Sequence, residues 1–249
     1  MKKVLIIGNG MMGGSLGMAL TKTGKYIVNF CEVGIEFDNI LIQNNKEHGI
    51  YLPFYTTAYK TYKQYDFVIN CTGLKNLIDE INVIDISSVQ YNKTNKSHIF
   101  CHPLCGSEKN GRENAKADLF ENQNCIITTE GKSKELIKLA TSIFKDIGMN
   151  VYYCDTVEEH NKNLARTSHL LYYLALNGCA EYHPVLKRLS RSNKKIWNTI
   201  FKANKKNIED AKMELARCFV KKNEISYAFK EFVKKIPKHF YGTALKELI

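Results

Sequence analysis

A glycine-rich turn near the start of the chain constrains the fold more than any other feature of the sequence. Gly8, Gly10 and Gly13 form a G-x-G-x-x-G pattern between an apolar run at 3–7 and a helix-like segment at 13–23. Strand, glycine turn and helix in this order are typical of a dinucleotide-binding unit. The first glycine permits the tight turn, the second lets backbone approach a pyrophosphate, and the third lets helix and strand pack closely. The helix N-terminus then faces the phosphates, and we predict cofactor contacts along the whole turn. Its residues are Gly8, Asn9, Gly10, Met11, Met12 and Gly13.

An acidic residue stands where such a unit usually binds the adenosine ribose. Glu32 follows the strand-like run 26–31 and lies 19 positions after Gly13. A carboxylate there accepts hydrogen bonds from the ribose hydroxyls and repels a 2′-phosphate. No arginine follows nearby, so the sequence predicts NAD rather than NADP. The alternative is that Glu32 is an ordinary exposed acid.

The order of predicted elements indicates an α/β fold. Up to residue 154 strands alternate with helices, whereas the remainder has helical spacing and little strand propensity. Alternation of this kind predicts a Rossmann-type, doubly wound parallel sheet over 1–154, followed by an all-helical domain over 155–249. The predicted strands after the glycine turn are 26–31, 66–71, 82–86, 98–101, 125–129 and 150–154. The predicted helices are 13–23, 35–47, 134–147, 157–181, 194–221 and 224–236.

The positive charge is concentrated in the second part of the chain. The formal net charge is +11, with 17 Lys/Arg against 15 Asp/Glu in 1–150 and 19 against 10 in 151–249. Such a field suits a small polyanion or a nucleic acid, and it also fits a solvated lysine-rich surface. No zinc-finger or RNP-type signature is present, so nucleic acid is not the favoured partner.

Apolar runs and cysteines indicate a cytoplasmic protein. No run approaches the roughly 20 residues that cross a bilayer, and the start lacks a signal-peptide core. We therefore expect no membrane partner and reduced thiols at all eight cysteines. Cys101, His102 and Cys105 form a small cluster, but no second pair stands at zinc-ligand spacing, so no metal is predicted.

Three polar segments follow predicted strands, and together they carry a family resemblance. They read D-I-S-S-V-Q at 85–90, H-P-L-C-G-S-E-K-N-G at 102–111, and S-H-L at 168–170. With the G-N-G-M-M-G-G-S start, the chain resembles the prephenate dehydrogenase family of tyrosine biosynthesis, which includes arogenate dehydrogenases. The H-P-x-x-G-S-E-x-x-G loop is the most specific of these signals.

The resemblance implies catalytic roles in the first part. His102 matches the catalytic histidine, and a neutral imidazole can accept the proton of a ring hydroxyl. Ser88 matches a serine that hydrogen-bonds the same hydroxyl or the nicotinamide. Ser107 and Glu108 would touch substrate or order their loop. Gln90 stands where the family has a lysine.

The resemblance also implies a substrate-binding set in the second part. Arg188 matches the arginine that grips a substrate carboxylate, and Arg191 follows one turn later. His169 belongs to the S-H-L segment, and Tyr172 replaces a second histidine of the family pattern. His160 and His169 lie nine positions apart, about 900° on one α-helix, and should point to opposite faces unless the helix breaks.

The resemblance implies NAD-dependent oxidative decarboxylation of prephenate to 4-hydroxyphenylpyruvate by a homodimer that pairs through its helical domain. Three alternatives remain open. One is an arogenate dehydrogenase. Another is a different two-domain hydride-transfer enzyme, for which Lys162 would be the catalytic lysine. The last is a regulator that binds NAD without turnover.

Overall fold

The structure is a computed structural model that divides into two compact units. The first holds described residues up to Asp155 except Val89–Tyr91, and the second holds Val89–Tyr91 with Thr156–Ile249. The described residues are 1–32, 44–45, 49–53, 62–73, 81–91, 96–105, 111–219 and 224–249. Most of the helix predicted over 35–47 lies outside them. Its part at 44–45 was predicted wrongly, because these residues form a short strand.

The first unit is built on a nine-stranded sheet in the order β3-β4-β2-β1-β5-β6-β7-β8-β9. Neighbouring strands are parallel except for the pairs β3–β4 and β7–β8. A mostly parallel sheet of this order confirms the predicted Rossmann-type architecture. The strands are β1 Lys2–Ile7, β2 Tyr26–Glu32, β3 Asn44–Asn45, β4 Gly49–Pro53, β5 Phe67–Asn70, β6 Val83–Asp85, β7 His98–Pro103, β8 Asn124–Thr128 and β9 Asn150–Cys154.

The register of the central strands aligns the ends that carry the site. Ile7 pairs with Asn70, Asn70 pairs with Asp85, and Asp85 pairs with Phe100. Ile7, Asn70 and Asp85 are the last residues of their strands. The loops that follow β1, β5 and β6 therefore leave the sheet side by side, and β7 continues past them to His102 and Pro103.

Both faces of the sheet are covered, as its apolar strands require. Val4 and Ile6 of β1 pack into a large cluster with residues of α1 (Met11–Lys22) and α2 (Lys134–Asp146), whereas Leu5 and Ile7 join a smaller cluster with Tyr62 on the other face. This split follows the two-residue period of a strand. Ser133 caps α2 by accepting a hydrogen bond from the Leu136 amide at 3.2 Å.

The second unit is helical, as predicted, but its helices are shorter. The segment predicted as one helix over 157–181 ends at Leu176 and contains a π-helix, Ala165–His169. The helix predicted over 194–221 is interrupted at Asn204. The α-helices are α3 Val157–Leu164, α4 Leu170–Leu176, α5 Pro184–Leu189, α6 Lys194–Ala203, α7 Lys205–Phe219, α8 Ile225–Phe232 and α9 Thr243–Leu248.

None of the helices in the described parts of the chain has the length and apolar character needed to span a membrane.

Candidate functional site

The glycine turn has the geometry of a close approach between backbone segments. Gly8 has φ +92°, which favours glycine, and its amide donates to the Cys31 carbonyl at 2.7 Å. A Cβ on Gly13 would lie 1.8 Å from the Gly8 carbonyl oxygen, so the start of α1 touches the turn directly. A Cβ on Gly10 would meet no atom within 4 Å. The turn is thus tight behind the helix and open at Gly10, where a phosphate can approach.

The N-terminus of α1 offers backbone donors at this open point. Gly10 precedes the helix and provides no side-chain cap, and the first turn carries no acidic residue. The first N–H groups of an α-helix have no partner within the helix. Asn9 is buried, whereas Met11 and Met12 are partly exposed. An anionic group at this end would meet amide donors and the positive end of the helix dipole.

A buried polar network organises the loops after β5 and β6. Asn70 donates to the Asp85 carboxylate at 2.9 Å and accepts from the Thr72 hydroxyl at 2.7 Å. His98 Nε2 lies 3.3 Å from the same carboxylate, and the Ser87 amide donates to it at 2.8 Å. One carboxylate therefore fixes both the turn at Cys71–Gly73 and the turn that carries Ser88.

The two predicted catalytic residues of the first unit lie on neighbouring elements. Ser88 is partly exposed in the turn after β6. His102 is buried on β7, opposite Ile126, and lies two residues beyond the aligned position Phe100. Because side chains alternate along a strand, His98, Phe100 and His102 share one face of the sheet. The structure thus brings the glycine turn, the Ser88 turn and His102 to one edge.

Three predicted site residues cannot be placed. Ser107 and Glu108 lie outside the described residues. Glu32 ends β2 at the predicted position, but its side chain lies outside the described part. Their roles stay predictions.

The thiols of Cys101 and Cys105, close in sequence to His102, are affected by burial. Burial raises the pKa of the Cys105 thiol to about 12 and that of Cys101 well above its usual range, with the Asp85 charge as a lesser cause at Cys101. Among the described residues, no group of three or more His, Cys, Asp or Glu side chains is placed to hold a metal ion.

In the helical unit, the π-helix is supported by side chains that bond to successive backbone carbonyls. Arg166 donates to the Lys162 carbonyl at 3.2 Å, and Thr167 donates to that of Asn163 at 2.9 Å. Arg166 is also held in an ion pair with Glu214 on α7. Wider turns of this type are rare and occur frequently at functional sites. The π-helix interrupts the α-helix between His160 and His169, so the opposite facing predicted for one continuous α-helix does not apply here.

The Asn161 side chain forms hydrogen bonds with the backbone of the short segment Val89–Tyr91. The Gln90 amide donates to Asn161 Oδ1 at 2.9 Å, and Asn161 Nδ2 donates to the Gln90 carbonyl at 2.7 Å. Asn161 Oδ1 also accepts from His160 Nδ1 at 3.2 Å. His160 is fully buried, and this burial lowers its pKa to about 4 despite the hydrogen bond to Asn161. His160 is therefore neutral near neutral pH and carries its proton on Nδ1.

His169 is buried in the same polar network. Asn204 Nδ2 lies 2.9 Å from the Asn161 carbonyl oxygen and 3.0 Å from His169 Nδ1. The Trp197 ring approaches His169 with 6.1 Å between centroids, and Tyr172 stacks on Trp197 at 3.6 Å. The structure thus brings His169 and Tyr172, both predicted substrate contacts, against one tryptophan.

Arg188 lies on α5 and already has an anionic partner. Its guanidinium pairs with the Glu247 carboxylate of α9 at 2.6 Å, and both side chains are about two-fifths exposed (43% and 40%). Arg191 is exposed in the turn after α5 rather than on the helix itself. The Arg191 amide donates to the Arg188 carbonyl at 3.2 Å, so Arg191 follows one turn later, as the sequence predicted, but beyond the end of the helix.

Comparison with known proteins places these features in a family. Residues 63–153 match the family model described as prephenate dehydrogenase, nucleotide-binding domain. A prephenate dehydrogenase of Lactococcus lactis is 25% identical over 213 residues, covering 76% of this chain and 58% of that protein. The chain thus spans less than two thirds of this curated relative.

Two solved structures share the fold over nearly the whole chain. One is a prephenate dehydrogenase from Aquifex aeolicus in complex with hydroxyphenyl propionate and NAD+, with TM-score 0.71, 22% identity, and coverage of 95% of this chain and 96% of that one. The other is a Synechocystis arogenate dehydrogenase, with TM-score 0.67, 16% identity, and coverage of 94% and 98%. The family model and the curated relative point to the prephenate dehydrogenase family, and the solved structures show the shared fold.

The predicted site residues are not all covered by the match to the prephenate dehydrogenase family model. Ser88 and His102 lie inside the matched range, whereas the glycine turn precedes it and the residues of the helical unit follow it. The family-model match therefore covers the part of the chain that carries the predicted catalytic histidine, whereas the match to the Lactococcus lactis protein extends over 213 residues.

Sequence reasoning missed several residues that organise the site. Asn70 and His98 had no motif to mark them, although Asp85 stood in the segment that carries the resemblance. Asn161 and Asn204 are single polar residues in helical segments, and Glu247 is distant in sequence from Arg188. A buried-strand pattern that ends in Asn or Asp was the one available signal, since it marks Asn70 and Asp85.

Proposed function

We propose that this chain is an NAD-dependent dehydrogenase that oxidises and decarboxylates prephenate to 4-hydroxyphenylpyruvate. The observation that carries the proposal is the alignment of three loops at one edge of the sheet. The glycine turn, the Ser88 turn and His102 follow or extend strands that end in register. Ligands of open α/β sheets bind at the carboxyl ends of the strands.

The first unit fits a dinucleotide at the level of its backbone. Open space at Gly10 and the uncapped start of α1 suit a pyrophosphate, and a side chain at Gly13 would be incompatible with the turn. The Aquifex structure that shares this fold was solved with NAD+, which supports the same cofactor here. When bound, NAD supplies the hydride acceptor.

His102 is proposed to take the proton of the ring hydroxyl. As hydride leaves the carbinol carbon, its hydroxyl becomes a carbonyl and must lose its proton, and a neutral imidazole is suited to accept it. Ser88 would orient the hydroxyl by hydrogen bonding. Loss of carbon dioxide would then make the ring aromatic and leave the electron pair on the ring oxygen as a phenolate, which takes the proton back from His102 to give the phenol. This aromatisation supplies much of the driving force.

Arg188 is proposed to bind a carboxylate of the substrate. A planar guanidinium can hold a carboxylate through two parallel hydrogen bonds, and its ion pair with the Glu247 carboxylate supports this kind of role. The exposed Arg191 adds to the positive field of this part of the chain.

The proposed homodimer is supported by an apolar helix face that the monomer leaves uncovered. No residue of α6 is buried, and Ile196 is 48% exposed beside the half-buried Trp197. An exposed apolar face of this kind is typical of an interaction surface. Light scattering after gel filtration should give twice the chain mass of 28.6 kDa.

The function is tested by following NADH absorbance with purified protein, prephenate and NAD. The same assay is repeated with arogenate and with NADP. We expect turnover with prephenate and NAD. Turnover with arogenate alone would contradict the proposed substrate but retain the chemistry, and turnover only with NADP would contradict the role of Glu32. A folded protein that binds NAD and converts neither compound would contradict the proposed function.

A further inference from the structure

The hydrogen bonds around Asn204 fix the orientation of its side-chain amide. Asn204 Nδ2 lies 2.9 Å from the Asn161 backbone carbonyl, which can only accept. Asn204 Oδ1 accepts from Asn207 Nδ2 at 2.8 Å. Both contacts require the nitrogen to face Asn161 and the oxygen to face Asn207, so the amide cannot be flipped without losing them.

The oriented amide determines which nitrogen of His169 carries the proton. Asn204 Nδ2 lies 3.0 Å from His169 Nδ1, and an amide nitrogen can only donate. Nδ1 must therefore accept, and a neutral imidazole then holds its proton on Nε2. Burial lowers the pKa of His169 to about 3, with His160 as a smaller cause, which keeps the ring neutral.

The proton on Nε2 has no acceptor among the residues that the structure describes. His169 is 1% exposed, so this donor is removed from bulk solvent. A buried donor without an acceptor is destabilising, and such a group calls for a functional explanation, such as a bound partner. The His169 ring contacts Trp197, on which Tyr172 stacks, and both of these rings are only half-buried.

We propose that Asn204 is a positioning residue of the substrate site, which locks His169 in its Nε2–H form so that the histidine donates to a substrate oxygen. The acceptor must be an unprotonated oxygen, such as that of a carboxylate or keto group, and an ammonium group is excluded at this point. The identity of the ligand rests on the proposed function, whereas the tautomer does not.

Nitrogen NMR tests the tautomer without any assay of activity. In ¹⁵N-labelled protein, His169 is assigned as the imidazole signal that is lost in His169→Gln. We expect the Nε2–H pattern between pH 6 and 8 in the unmodified chain. A Nδ1–H pattern, or protonation within this range, would overturn the proposal.

Substitution of Asn204 tests the locking. In Asn204→Asp the side chain can only accept, so His169 should move its proton to Nδ1, and Asn204→Ala should leave a mixture of the two forms. Asn177→Asp is the matched control, because it makes the same substitution at an exposed asparagine whose side chain donates to the Tyr173 carbonyl and not to the network around His169. A histidine that keeps the Nε2–H form in both Asn204 variants, with melting curves that confirm folding, would remove Asn204 from this role.

Ligand binding and kinetics test the positioning. Hydroxyphenylpropionate, added with NAD, should shift the Nε2 proton of His169, and an unchanged signal at saturation would overturn the donor role. In Asn204→Asp the KM for prephenate should rise about tenfold, the scale of one hydrogen bond to a charged acceptor, with the KM for NAD unchanged. An unaltered KM for prephenate despite a switched tautomer would contradict the proposal. If no substrate is turned over, the proposed function fails, while the NMR results still decide on Asn204 and His169.

Discussion

At the residue scale, single polar side chains organise several backbone segments at once. The Asp85 carboxylate accepts from Asn70 and Ser87 and lies beside His98, all in a buried position. Buried carboxylates need such partners, because an unpaired buried charge is strongly destabilising. The turns around the cofactor site are therefore fixed by residues that do not themselves react.

The catalytic role of His102 predicts a large loss of turnover on substitution. His102→Asn keeps a polar side chain of similar size but cannot act as a base near neutral pH. We expect the turnover number to fall by roughly 10²–10⁴-fold, the usual contribution of general acid–base catalysis. NAD affinity, measured by fluorescence titration, should stay nearly unchanged. Full activity in this variant would exclude His102 from the mechanism.

The proposed carboxylate clamp predicts an effect on substrate binding. Arg188→Ala should raise the KM for substrate by about tenfold to a hundredfold, because a hydrogen bond between charged groups contributes about 1.5–3 kcal/mol. The matched control is Glu247→Gln, which leaves the guanidinium in place. An exposed ion pair contributes about 1 kcal/mol or less, so its loss should not raise the KM. If Arg188→Ala leaves the KM unchanged, the clamp lies elsewhere, and Arg191 is the next residue to test.

At the scale of elements, local sequence predicted the strands and the glycine turn well. These features depend on short patterns, namely apolar runs and glycines at fixed spacing. The break at Asn204 and the π-helix at Ala165–His169 were missed, because the apolar period of an α-helix continues through both. At the π-helix, Arg166 and Thr167 donate to carbonyls four residues earlier, and at the junction Asn204 donates over a long sequence distance to the Asn161 carbonyl. Neither kind of contact alters the apolar period of the sequence.

The glycine turn predicts different outcomes for two similar substitutions. Gly13→Ala places a methyl group against the Gly8 carbonyl oxygen and should lower the free energy of unfolding by about 1–3 kcal/mol, with loss of NAD binding. Gly10→Ala meets no atom within 4 Å in the protein, so stability should be retained. Its methyl group points into the space expected for the pyrophosphate, and NAD affinity should fall about tenfold, or 1.4 kcal/mol.

Thermal melts and NAD titrations of both variants measure these effects. Equal stability losses in the two variants would show that the close contact at Gly13 does not control folding. Unchanged NAD affinity in Gly10→Ala would place the cofactor away from the turn.

At the scale of the whole molecule, the sequence predicted the architecture of both units but not every segment that belongs to each. Both architectures followed from the change in pattern near residue 155. The assignment of Val89–Tyr91 to the helical unit could not be predicted, since it depends on the hydrogen bonds between Gln90 and Asn161. Long-range contacts of this kind leave no local signal in one sequence.

The buried histidines predict a loss of stability in mild acid. Burial lowers the pKa of His160 to about 4 and of His169 to about 3, from 6.5 in the unfolded chain. The unfolded state therefore binds more protons below pH 6.5, and the free energy of unfolding should fall as the pH decreases from 6.5 towards 3–4. Denaturant unfolding at pH 7.5, 6.5 and 5.5 measures this slope. His169→Gln should reduce it, and an unchanged slope would contradict the neutral buried state.

The π-helix also has a consequence for how this gene can vary. A turn with bonds from residue i to i+5 accommodates one residue more than a regular turn. Deletion of a single codon within 165–168 would let the wider turn close to a regular one and leave the residues beyond it facing nearly the same way, because the wider turn already absorbs the extra residue. His169 would then keep its contact with Asn204. We therefore expect natural variants that are one residue shorter here to keep the asparagine at the helix junction.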